Sequence, residues 1–72
     1  MASEALGNRI RELRKARRFT QLDLAERVDV TRQTIIAIEK GQYNPSVVLA
    51  MKIAQVFQRP LEEIFWLKND NG

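Results

Sequence analysis

The sequence predicts an all-α fold, a compact five-helix domain, on three observations. Apolar residues recur three and four positions apart, and the alternation of a half-buried strand is missing throughout. Helix-capping residues stand at Thr20, Thr31 and Ser46, each directly before such a periodic stretch. The stretches are separated only by short polar punctuation, with no internal repeat. A chain of 72 residues, 44% of them hydrophobic, is one small domain near the lower end of what folds on a single core.

The first helix is expected from about Ser3 or Glu4 to about Arg17, with Leu6, Ile10 and Leu13 on one stripe. Phe19 enters a short break. Thr20 then caps a second helix over QLDLAERV, whose first turn holds Asp23, where negative charge suits the helix dipole. That helix stops near Val28, and Asp29 with Val30 leaves room for only a tight turn. Thr31 caps the third helix in the stretch TRQTIIAIEKG, which Gly41 ends. Asn44 and Pro45 turn the chain, and Ser46 caps a fourth helix with Leu49, Ile53, Ala54 and Phe57 as its buried stripe. Pro60, at a first helical position, starts a fifth over PLEEIF, with Glu62 and Glu63 in its first turn. The expected division is a domain over residues 1–68 and a frayed tail, NDNG, over 69–72.

Absent residue types narrow the function. Without Cys there is no disulfide and no thiolate metal site; without His the commonest metal ligand and general base are missing. Glu62 and Glu63 are adjacent and point in different directions, and the scattered glycines form no phosphate-cradling loop. No catalytic residue, metal, cofactor or small-molecule ligand is expected, and no enzyme. No apolar run approaches the roughly 18 residues of a membrane span, and MASEALGNRIRE lacks the apolar segment of a secretory signal. A cytoplasmic protein with no membrane contact is expected.

The net charge of +3 lies wholly in residues 1 to 40, where nine Lys and Arg meet six Asp and Glu. Six of the nine fall in RIRELRKARR, and helical spacing puts Arg11, Lys15 and Arg18 opposite the apolar stripe. A basic face on a domain of pI near 9.8 is an electrostatic footprint for a polyanion, nucleic acid first. At about 100° per residue, Ile35 and Ile38 share one side of the third helix, while Gln33, Ala37 and Lys40 point the other way, flanked by Arg32 and Ile36. A short second helix and a tight turn before it make a helix-turn-helix, whose exposed face enters the major groove of double-stranded DNA. There Gln33 suits adenine, Arg32 suits guanine or a phosphate, and the methyl groups of Thr34, Ile36 and Ala37 suit thymine.

The run TQLDLAERVDVTRQTIIAIEKGQYNPS resembles the phage-repressor-like helix-turn-helix domain of the Cro-repressor or XRE family of transcription regulators, with similarity from Arg9 to about Phe65. The resemblance implies a five-helix DNA-binding domain acting on an operator as a two-fold symmetric dimer. It implies base-facing roles for Arg32, Gln33 and Ala37, and backbone contacts for Gln21, Lys40, Tyr43 and Asn44; Arg18 and Thr20 join that phosphate-contacting set. It implies a small residue, Ala25, where the two helices cross, and a buried salt bridge between Arg14 and Glu39. Asp29 and Gln58 depart from the family pattern by standing where Gly is common, and Leu22 and Ile36 by standing where polar residues are. Ile36 either prefers thymine methyls or is merely exposed, and packing under the loop is one reading of Leu22.

At the end of the chain, Phe65, Trp66 and Leu67 cannot all turn inward from one helical face. Either Trp66 lies flat on its own domain, or the three residues form a homodimer contact, the reading favoured here. Two function hypotheses follow. One is a stand-alone regulator, a repressor lacking a sensor domain, that reads an inverted repeat; the other is an antitoxin-like module that neutralises a protein partner and binds DNA secondarily. An uncovered apolar patch at Leu22, Val48 or Trp66 would favour the second.

Overall fold

A computed structural model describes residues 6–68. In chain order its elements are β1 (Leu6–Asn8), α1 (Ile10–Ala16), α2 (Gln21–Arg27), α3 (Arg32–Glu39), α4 (Val47–Phe57), α5 (Leu61–Ile64) and β2 (Phe65–Leu67). The five expected helices are present among the described residues. Their inward faces meet in one core built on Ile10, Leu24, Ala25, Val28, Ile35, Ile38, Ile53, Phe57 and Ile64, all at most 2% exposed. Phe19 and Phe57 close one end of it, ring centroids 6.2 Å apart.

Helix starts follow the caps. The hydroxyl of Thr20 accepts from the Asp23 N–H while the Asp23 carboxylate accepts from the Thr20 N–H, a reciprocal capping box. Thr31 and Ser46 accept from Thr34 N–H and Leu49 N–H in the same manner. The helix ends share a device too. After each of α1 to α4 the chain passes through one left-handed residue: Arg18 (φ 59°), Asp29 (φ 63°), Gly41 (φ 75°) and Gln58 (φ 55°). The next residue donates back to the carbonyl four residues before the left-handed one: Phe19 to Arg14, Val30 to Ala25, Gln42 to Ala37 and Arg59 to Ala54. Three of these four positions hold a side chain where glycine is the unstrained choice. The tight turn at Asp29 and the end of α4 at Gln58 therefore form without glycine.

Two expectations are corrected at the chain ends. Leu6–Asn8 and Phe65–Leu67 are not helical but pair as an antiparallel ribbon in the register Leu6↔Leu67, Gly7↔Trp66, Asn8↔Phe65. The first helix begins at Ile10, not at Ser3 or Glu4, which lie outside the described residues. Asn8 explains the start: its Oδ1 accepts from the Ile10 N–H at 3.1 Å, and the Arg9 N–H is taken by the Ile64 carbonyl at 3.0 Å. A helix continued through Gly7 would also cost about 1 kcal/mol relative to alanine. At the other end Pro60 precedes the fifth helix as its cap residue, and Phe65 leaves it at φ −126°, ψ 146°. The tail 69–72 lies outside the described residues.

Gly7 is where the ribbon needs glycine. A Cβ there would fall on the indole of Trp66, 2.9 Å from Cδ1 and closer still to Nε1. The indole lies across the Gly7 backbone and the Arg9 guanidinium sits over the same ring, 5.2 Å from its centroid.

Candidate nucleic-acid interface

The third helix is fixed from several sides. Ile35 and Ile38 are buried, Thr31 caps its start, and Asn8 Nδ2 donates to the Ile38 carbonyl at its end, 3.0 Å. Glu39 supplies the strongest tie. Arg14 Nε donates to Glu39 Oε2 at 2.8 Å and Nη2 to Oε1 at 3.3 Å, with both side chains about nine-tenths covered. Gln21 Nε2 donates to the same Oε1 at 3.2 Å, and Arg14 Nη1 donates to the Phe19 carbonyl at 3.0 Å. One carboxylate thus joins α1, the first residue of α2 and α3, a charge-assisted network with its polar atoms satisfied.

With its inner face held, α3 leaves Arg32 and Gln33 exposed, with Lys40 exposed at its C-terminal cap, and Ile36 and Ala37 partly covered. Thr34 sits further round, partly covered, its hydroxyl 3.1 Å from that of Thr31. On one flank of α3 lies a concavity of about 620 Å³, lined by Arg11, Lys15 and Arg18 from the first helix and its end, Thr20, Gln21 and Leu22 from the start of the second, and Arg32, Ile36 and Lys40 from the third. On the other flank a hollow of about 270 Å³ is lined by Thr34, Tyr43, Ser46 and Lys52 among others. Tyr43 is half-exposed and Asn44 exposed beside it.

The basic run RIRELRKARR divides into two sets. Arg9 lies over Trp66, Arg14 holds Glu39, and Arg17 donates from Nη2 to the Phe57 carbonyl at 3.1 Å, capping the end of α4. Arg11, Lys15 and Arg18 turn into the concavity, and with Arg32 and Lys40 they make no ion pair among the described residues. The result is a wall of uncompensated positive charge beside the outer face of α3.

Of the three residues expected to form a homodimer contact, Phe65 is buried in its own core, because it faces inward from β2 opposite Asn8. It is therefore no part of an exposed contact. Trp66 keeps 41% of its surface and Leu67 64%. Leu22, half-exposed on the concavity, does not pack under the loop. An apolar surface went unread on α4 and α5, where Val47, Met51 and Leu61 are exposed together with Val48. Its signal is compositional: VVLAMKIAQVF has only Lys52 and Gln55 as polar residues, more apolar surface than one buried face requires. The Gln21 link to Glu39 and the ribbon had no comparable signal. No described helix is long and apolar enough to cross a membrane, and no group of three potential metal ligands occurs among the described residues.

A family model described as helix-turn-helix matches residues 10–64, the span from the start of α1 to the end of α5. The chain belongs to this family. Two relatives named as transcriptional regulators match this helix-turn-helix chain along nearly their whole length. An HTH-type transcriptional regulator of Methanothermobacter thermautotrophicus is 58% identical over 64 residues, 88% of this chain and 93% of the relative. The HTH-type transcriptional regulator YgzD of Bacillus subtilis is 48% identical over 64 residues, 89% and 97% of the two chains. Among solved structures, the restriction-modification controller protein C.AhdI from Aeromonas hydrophila superposes with a TM-score of 0.70 at 33% identity, over 75% of this chain and 82% of that one. The family is one of DNA-binding transcription regulators.

Proposed function

We propose that this chain is a repressor that binds an inverted-repeat operator as a homodimer, with α3 of each subunit in the major groove. The observation that carries the reading is the exposed face of α3 standing beside an uncompensated cationic wall, a polar reader next to a phosphate-binding flank. Gln33 suits adenine and Arg32 guanine as bidentate partners, and Thr34, Ile36 and Ala37 offer methyl contacts to thymine. Arg18, Thr20, Gln21 and Lys40 take phosphates on one side; Tyr43 and Asn44 take those on the other. Repression follows from occupancy, since a dimer seated on the promoter excludes other proteins. Trp66 and Leu67 supply apolar surface for the two-fold contact. A second reading, binding of a protein partner, draws on the exposed Val47, Val48 and Met51.

The test is selection of bound duplexes from a random pool at moderate salt. An enriched inverted repeat, with half-site centres about 10 base pairs apart or a multiple of that, supports the proposal. Recovery of random DNA whose affinity tracks salt alone would end it.

A further inference from the structure

We propose that Leu22, at the start of α2, is a base-reading residue that takes a thymine 5-methyl group together with Ile36, an assignment that rests on the DNA-binding reading above. Leu22 is half-exposed, and it lines the same concavity as Ile36 on the outer face of α3. The two are the aliphatic residues of a lining that also holds Phe19, the Arg14–Glu39 pair and the unpaired cations Arg11, Lys15, Arg18, Arg32 and Lys40. Aliphatic side chains that share a concavity with unpaired cations suit the major groove, where thymine methyls lie on the floor between two rows of phosphates. The direction of Leu22 is fixed locally. The Thr20–Asp23 capping box on either side of it locks the first turn of α2, and Gln21 next to it is tied to Glu39. Leucine has no hydrogen-bonding group, so it discriminates through the methyl group alone: cytosine at the same position offers no methyl and leaves its N4 donor facing an aliphatic chain.

The experiment uses the best duplex from the selection above, with each thymine replaced in turn by deoxyuridine, which removes only the methyl group. Affinities of the full chain, Leu22→Ala and Leu22→Met are read by fluorescence anisotropy. The native chain is expected to lose about fourfold in affinity at one or two thymines per half-site, the factor that burial of one methyl-sized group supplies. Leu22→Ala abolishes the loss at one of them while leaving the response at the others, and Leu22→Met retains it. A half-exposed side chain contributes little to the core, so an unchanged thermal midpoint for both variants shows that the fold is intact. Thymine replacements that are silent in the native chain, or a response that survives Leu22→Ala at every position, overturn the assignment and leave the exposed leucine to a protein partner. A selection that enriches no sequence at all fails the regulator reading instead, and the two failures are told apart at the first step.

Discussion

Replacing Arg14 by leucine tests the network that holds α3. The substitution removes both hydrogen bonds to Glu39 and the one to the Phe19 carbonyl, and it leaves a carboxylate 8% exposed with only the Gln21 amide for company. Breaking a buried pair from one side costs about 3–5 kcal/mol, mostly the uncompensated charge. A domain of 72 residues has about 4–11 kcal/mol in total, so the variant should be close to unfolding at room temperature. At about 4–8 °C per kcal/mol, its thermal midpoint falls by at least 12 °C. The double variant Arg14→Leu with Glu39→Leu removes both charges and recovers most of the loss. Urea unfolding followed by helical circular dichroism, completed as a double-mutant cycle, measures each step. A single substitution that costs under about 1 kcal/mol, or a double no more stable than Arg14→Leu, would refute the claim that burial of this pair dominates its energetics. The exposed pair Arg59–Glu63, both side chains about half-exposed, is the internal contrast: its removal changes stability by no more than about 0.5 kcal/mol.

Gln33→Ala is expected to cost about 1–3 kcal/mol at a single base position, whereas Lys40→Ala weakens all sequences alike and reduces the salt slope by about 1, both read from binding isotherms on selected and scrambled duplexes. Gln58→Gly removes a side chain from the left-handed residue that ends α4, and stability should rise by up to about 1 kcal/mol, read as a higher urea midpoint; a lower midpoint would show that the Gln58 side chain contributes more than its backbone strain costs. Hydrogen bonds from the Thr20 N–H and hydroxyl hold the Asp23 carboxyl below its ordinary value of 3.8, so its contribution is complete above that pH and is lost as pH falls through the lower folded value. With no His in the chain, stability should be flat from pH 7 to 5 and fall only on further acidification, and Asp23→Asn should flatten part of that acid limb.

What the sequence could express and what it could not divides along physical lines. The helices α2, α3 and α4 were legible because cap and core stripe agree at each: Thr20 with Leu24, Thr31 with Ile35 and Ile38, Ser46 with Leu49 and Ile53. The outer face of α3 followed from the same geometry, since fixing which residues are buried fixes which are not. The ribbon was illegible because three-residue strands show too little alternation to register, and because Leu6 fits the helical stripe of Ile10 and Leu13 equally well. Gly7 and Asn8 held the missing information: a glycine that a Trp side chain crosses, and an amide that caps α1 and α3 at once. Long-range partners of this kind have no periodicity to betray them. The same holds for Arg9 and Arg17, which read as surface charge and are spent on Trp66 and on the end of α4.

That division of the arginines bears on how α3 could recognise a duplex. A helix of eight residues is too short to be stable alone, so its direction depends on what holds it. Here the start is capped by Thr31, the inner face is buried through Ile35 and Ile38, and the end is held twice, by Asn8 at the Ile38 carbonyl and by Arg14 at Glu39. Each tie removes freedom that would otherwise be lost on binding, at about 0.5–1.5 kcal/mol for each ordered side chain. Arg9, Arg14 and Arg17, spent within the domain, therefore bear on the proposed recognition as much as the basic side chains left unpaired, because they fix the scaffold that presents α3.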